Sequence, residues 1–182
     1  MKKLLMYAII SCSSFTAFAS EIISQSKAGN LAAVQTAFNK GVTAQEAFDA
    51  LIIAVVGHRK PIVEFLLENK VNPNNLYISG QLRETALSQA VRGDKADAKI
   101  VKMLLKAGAD KVINKENSDG LTPLHIAAFE APKAVTEILL KYDADPSIEG
   151  KVGNTRATAL QIAEWQGNNE IAALLKEYKK TK

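Results

Sequence analysis

The chain has 182 residues, 47% hydrophobic and 6% aromatic, with a formal net charge of +4, two histidines and one cysteine. That length suits a single domain with a substantial core, and a lone cysteine excludes an internal disulfide framework. Transition-metal centres draw on Cys, His and carboxylates, so none is expected from so small a stock of ligands.

In chain order, the first segment reads as a targeting signal. Lys2 and Lys3 precede an apolar run from Leu4 to Ile10, and Ala17-Phe18-Ala19 offers the small residues a signal peptidase needs. Residues 1–19 are therefore expected to be a signal peptide, and 20–182 the mature domain. The run is shorter than the ~20 residues of a spanning helix, and no later stretch approaches it. No membrane insertion of the mature chain is expected, and the destination is periplasmic or secreted. Ile9-Ile10-Ser11-Cys12 also fits a permissive lipobox, in which Cys12 would carry lipid. With cleavage after Ala19 the mature chain has no thiol and relies on its core alone. Loss of Lys2 and Lys3 brings the charge to about +2. Lys176, Lys179, Lys180 and Lys182 crowd the C-terminus. They read as a solvated last turn, and no nucleic-acid partner is expected.

Beyond the signal the sequence repeats. Thr85-Ala86-Leu87, Thr122-Pro123-Leu124 and Thr158-Ala159-Leu160 recur about every 36 or 37 residues. Each opens a short alanine-rich helix. A second helix follows, as in Ile100-Val101-Lys102-Met103-Leu104-Leu105, Val135 to Leu140 and Ile171 to Leu175. Its apolar residues fall near i, i+1, i+4 and i+5, a wide helical face. Turns such as Lys106-Ala107-Gly108-Ala109-Asp110 and Lys141 to Pro146 end two of these units.

These residues resemble the ankyrin repeat, whose pattern runs T-P-L-H-x-A-A, a turn, a V-V-x-x-L-L helix and G-A-D; Leu121 to Asp145 match it almost throughout. Ala50 to Leu67 form a further repeat, and Lys27 to Val42 a degenerate N-terminal cap. The resemblance implies an all-α ankyrin-repeat solenoid of about five helix pairs over residues 21 to 180, with short β-hairpin fingers. One pair cannot bury its apolar face alone, so stacking builds the core and the end units stay polar outside. Asn30, Gln35, Asn39 and Lys40 at one end fit that, as do Lys176, Glu177, Lys179 and Lys180 at the other. Lys70 takes the place of the usual turn glycine, so that turn is expected to be rebuilt. Gly41 to Gln45 is too short for a finger. Gly93 to Ala98 is about two residues longer than expected, so that turn should protrude. Asn72 to Gly80 should form a turn-rich finger around Leu76-Tyr77-Ile78.

Little here points to catalysis. The resemblance gives His125 a structural hydrogen bond with Thr122 and His58 a turn position. No free histidine remains for a Ser-His-Asp triad, and neither G-x-S-x-G nor a P-loop is present. Ser24-Gln25-Ser26-Lys27 formally reads S-x-x-K but sits in the cap helix. Asp143, Asp145 and Glu149, and Asp94 with Asp97, lack EF-hand spacing. The chain is expected to be a cofactor-free, non-enzymatic monomer whose partner is another protein.

Solenoids of this kind bind through their fingers and the concave side of the first helices. The position two residues after the core alanine holds Val56, Arg92, Phe129 and Trp165. Aromatics and Arg are the residue types enriched at interface hot spots. Glu130 and Gln166 are expected at the polar edge, and Tyr77, Leu82, Arg83, Asp119 and Arg156 at the finger tips. Exported bacterial proteins similar to this one include immunity-type inhibitors of delivered toxins and accessory proteins of a periplasmic peroxide-detoxifying enzyme; a secreted effector aimed at a host protein is a third setting. Mass spectrometry of the exported chain should find a free Ser20 N-terminus; an acylated Cys12 would mean a lipid-anchored protein instead.

Overall fold

The computed structural model describes residues 21–181; the expected signal peptide and Cys12 lie outside the described residues. Among the described residues ten α-helices form five consecutive pairs: α1 (Glu21–Ala28) with α2 (Leu31–Asn39), α3 (Ala44–Val56) with α4 (Lys60–Glu68), α5 (Ala86–Ala90) with α6 (Ala98–Lys106), α7 (Pro123–Glu130) with α8 (Lys133–Lys141), and α9 (Ala159–Gln166) with α10 (Asn169–Thr181). Odd helices pack on odd helices (α1 on α3, α3 on α5, α5 on α7, α7 on α9) and even on even, giving two parallel rows. The fold is an all-α repeat solenoid.

Helices α3, α5, α7 and α9 start the same way for a chemical reason. Thr43, Thr85, Thr122 and Thr158 each stand in extended conformation before a helix, and each forms a capping box with the residue three further on. Those partners differ: Glu46, Ser88, His125 and Gln161. Each box satisfies orphan N–H groups at the helix start. The helices then carry buried alanines, among them Ala50, Ala54, Ala86, Ala90, Ala127, Ala128, Ala159 and Ala163. These small side chains let the odd row pack closely. The even helices supply larger core residues, such as Ile62, Val63 and Leu66 on α4 and Ile100, Val101, Leu104 and Leu105 on α6.

Two antiparallel hairpins precede odd helices: β1 (Tyr77–Ser79) with β2 (Leu82–Glu84), and β3 (Glu149–Val152) with β4 (Thr155–Thr158). Gly41 to Thr43 join α2 to α3 without a strand, as their length requires. Residues 113–122 also contain no strand, yet they fill the same row. Ser118 N–H donates to the Arg83 carbonyl and Lys151 N–H to the Gly120 carbonyl. Hairpin, loop and hairpin thereby form one hydrogen-bonded series.

The long turn between α5 and α6 is present, with Asp94 and Lys95 exposed. Asp97 ends it by capping α6 and by pairing with Lys60 Nζ at 2.8 Å, which ties it to the preceding unit. The lysine holds the Asp97 carboxyl below its ordinary range.

The turn at Lys70 is not rebuilt. Lys70 adopts φ 63°, as does Asp143, whereas Gly108 takes the corresponding turn at φ 96°. Val71 N–H still donates to the Leu66 carbonyl across the helix end, so the turn's own hydrogen bonding holds a lysine in left-handed backbone. That conformation costs a non-glycine residue about 1–2 kcal/mol. Glycine regains part of it and loses some to unfolded-state entropy. Lys70→Gly should therefore raise unfolding stability by about 0.5–1 kcal/mol, read as a higher urea midpoint at unchanged slope.

Candidate interaction surface

The hairpins lead directly into the odd helices, so the exposed side of the odd row and the hairpins adjoin. Two large apolar side chains stand out in solvent there. Trp165, at the end of α9, is 57% exposed, and Ile78, on β1, is 62% exposed. Among the described residues these are the large hydrophobics most open to water.

The other members of the row are placed differently. Val56 and Phe129 are half-buried and pack against the core. Phe129 also lines an open groove of about 620 Å³, together with Leu121, Val152, Glu116, Asp119 and Lys151. Glu130 and Gln166 are exposed beside Phe129 and Trp165, and Arg83, Asp119 and Arg156 are exposed on the hairpins and the intervening loop. Arg156 lies within 3.9 Å of both Glu116 and Glu149 and donates to the Glu149 carbonyl.

Tyr77 is not at a finger tip. It is 3% exposed, because strand alternation turns it inward opposite Glu84 and turns Ile78 outward opposite Arg83. The exposed apolar residue of that finger is one position along from the expected one. Leu82 is half-buried.

Arg92 is half-buried and committed inward. Its Nη2 lies 3.0 Å from Glu84 Oε1, and Glu84 is fully buried. Ser88 hydroxyl donates to the other Glu84 oxygen, and Asn117 Nδ2 donates to Oε1 at 3.0 Å. The cluster joins β2, α5 and the next loop, while Arg92 Nε has no protein partner. Period-two alternation through Leu82-Arg83-Glu84 is the signal that marks Glu84 as inward-facing.

His125 makes the equivalent joint one unit later. Its Nδ1 accepts from Thr122 N–H at 3.2 Å and sits 2.7 Å from the Thr122 hydroxyl. Its Nε2 lies 3.0 Å from the Ile148 carbonyl and 3.1 Å from the Ala157 carbonyl. These partners assign the neutral tautomer with the proton on Nε2. The imidazole thus clamps the second hairpin to α7. Gly150 is needed in that clamp, since a Cβ there would come within 2.9 Å of Leu121 and 3.0 Å of the His125 ring.

Ser24 hydroxyl donates to the Glu21 carbonyl of its own helix. Among the described residues no group of three or more His, Cys, Asp or Glu is arranged to hold a metal ion, and no helix is long and apolar enough to cross a membrane.

A family model described as Ankyrin repeats (3 copies) matches residues 21–115, 51–150 and 87–182. The chain is 38% identical over 122 residues to Ankyrin repeat-containing protein ITN1 of Arabidopsis thaliana, covering 64% of this chain and 18% of that protein. It is 31% identical over 126 residues to Transient receptor potential cation channel subfamily A member 1 of Homo sapiens, covering 66% of this chain and 11% of the channel. The chain spans less than a fifth of either relative's length.

Burial holds the His125 pKa below its ordinary 6.5, against the raising effect of the Ile148 and Ala157 carbonyls. The unfolded chain therefore binds this proton more readily than the folded one. Stability from the clamp is complete above pH 6.5 and is lost as pH falls below it toward the folded pKa. His125→Gln keeps the capping box, as Gln161 shows in α9, but leaves carbonyls unpaired. It should cost about 1–3 kcal/mol at neutral pH and flatten the fall in melting temperature between about pH 7.5 and about pH 5. A variant melting as steeply with acid as the parent would assign that acid sensitivity to other groups.

Proposed function

The chain belongs to the ankyrin-repeat family, and from that premise we propose that it is a protein-binding module engaging its partner through the side shared by the odd helices and the hairpins. Repeats of this kind are protein-interaction scaffolds whose stacked units present an extended surface. The observation that carries the site is the exposure of Trp165 and Ile78 on those two kinds of element. An indole in solvent leaves apolar area unburied, and such aromatics are the commonest anchors of interfaces. Phe129 and its groove lie between them along the stack, with Glu130, Gln166, Arg83, Asp119 and Arg156 as the polar surround.

Arg92 contributes through structure. It holds Glu84 and so sets the first hairpin, and its replacement would strand a buried carboxylate. It is a positioning residue for Ile78 and Arg83.

The N-terminal pattern of residues 1–19 supports an exported setting, in which the module would inhibit a partner protein or support a periplasmic enzyme. An inhibitor would owe its affinity to a slow off-rate.

The test is capture from a periplasmic extract of the organism of origin, with the parent chain run beside Trp165→Ala, Ile78→Ser. Both positions are exposed, so the variant should keep the parent's circular dichroism. A partner bound by the parent should be retained at least about 30-fold less well by the variant. Equal retention by both baits would remove the odd-helix side as the site.

A further inference from the structure

We propose that the outer face of α6, with the turns that flank it, docks the protein on an anionic lipid bilayer surface. This face lies on the even row, away from Trp165 and Ile78, and its chemistry is different.

Helix α6 reads Ala-Lys-Ile-Val-Lys-Met-Leu-Leu-Lys. Ile100, Val101, Leu104 and Leu105 turn inward and are buried. Lys99, Lys102 and Lys106 are spaced by three and four, so they share one face, and all three are exposed. The helix contains no acidic residue. At its C-terminal end Lys106 lines one groove with Lys70 and Lys111, both also exposed. Among the described residues none of these five lysines is in an ion pair. Elsewhere Lys40, Lys60, Lys133 and Lys176 each have a carboxylate partner, while other exposed lysines such as Lys95 and Lys141 have none among the described residues but stand apart from this cluster. Acidic neighbours exist: Glu64 and Glu68 on α4 and Asp110 beside Lys111 are exposed. Glu137 of α8 is engaged by Lys133. Cations still outnumber them on the face.

The composition of the face selects the partner class. It has no exposed large apolar side chain and no arginine, the features on which protein hot spots rest, and lysine is depleted at such interfaces. Nucleic-acid grooves add arginine forks or aromatic platforms, and neither is present. An anionic bilayer needs only several mobile cations reaching one surface, and each lysine there raises partitioning about five-fold. Against the exposed Glu64, Glu68 and Asp110 the five lysines leave a cationic excess, which gives weak, reversible docking without insertion. The module would then lie on the membrane by its even row, with the odd row and hairpins turned outward.

The full chain should be sedimented with vesicles of phosphatidylcholine alone and with vesicles containing about 30 mol% phosphatidylserine. Binding is expected only to the anionic vesicles and should fall at least ten-fold between about 0.05 and about 0.5 M NaCl. Lys99→Gln, Lys102→Gln, Lys106→Gln should lose about 100-fold in partitioning, while still capturing whatever partner the odd-row side binds. Equal binding to both vesicle types would assign the association to the apolar N-terminal segment and overturn the proposal. So would a triple variant that partitions like the parent. Retention on immobilised polyglutamate or duplex DNA at an ionic strength where anionic vesicles do not bind would give the face to an acidic protein or a nucleic acid instead.

Discussion

No helix pair in this chain can hide its own apolar surface. Helix α6 shows why: Ile100, Val101, Leu104 and Leu105 cover a face too wide for α5 alone, and the helix packs on α4 and α8 as well. Every unit therefore depends on its neighbours, and the core runs as one band along the stack. The constraint also decides what is left over. Apolar residues that face along the stack are consumed by it. Residues that face across it, from the odd row or from the even row, remain free to carry function.

Stacking alone does not orient the hairpins. Three or four residue pairs make a marginal ribbon, so each hairpin needs a fixed joint to its helix. The chain builds that joint with two chemistries at related positions. At the first hairpin a buried carboxylate, Glu84, gathers Ser88, Arg92 and Asn117. At the second a neutral imidazole, His125, bridges Thr122 to the carbonyls of Ile148 and Ala157. Buried polar networks of this kind specify geometry, and breaking one is costly. The same joints set where the exposed finger residues stand, so surface and core are coupled through a few buried polar atoms. The loop at residues 113–122 is held more economically, by backbone bonds to the hairpin on either side.

Much of this was legible in the sequence because the repeat is periodic. The recurring threonines mark the starts of the odd helices, and the short Gly41–Gln45 link excludes a finger. What was harder to read depended on one-residue or through-space detail. Tyr77 and Ile78 are adjacent, and only strand register decides which faces water. Lys70 keeps a glycine-type turn because the helix-end hydrogen bonds around it outweigh its left-handed penalty. Arg92 occupies the same position as Trp165 in its unit, yet a carboxylate eight residues earlier draws it inward. That partner lies in a preceding strand, where helical periodicity gives no hint of it. The lysines of α6 are plain in the sequence, but their lack of ion pairs among the described residues is a property of neighbouring helices.

The two-row architecture makes the two surfaces independent. A side chain on the outer arc of α6 contributes nothing to the odd row, because the whole thickness of a helix pair lies between them. Substitutions there change charge without disturbing the joints at Glu84 and His125. Conversely, Trp165 sits near the end of the stack, where the last pair, α9 and α10, packs on one neighbouring pair only. An exposed indole is tolerated there without opening the core, since Ile162 and Ala163 beside it are fully buried. A stack of interdependent units can therefore leave an indole exposed at its end and lysines exposed along its even row without either opening the core.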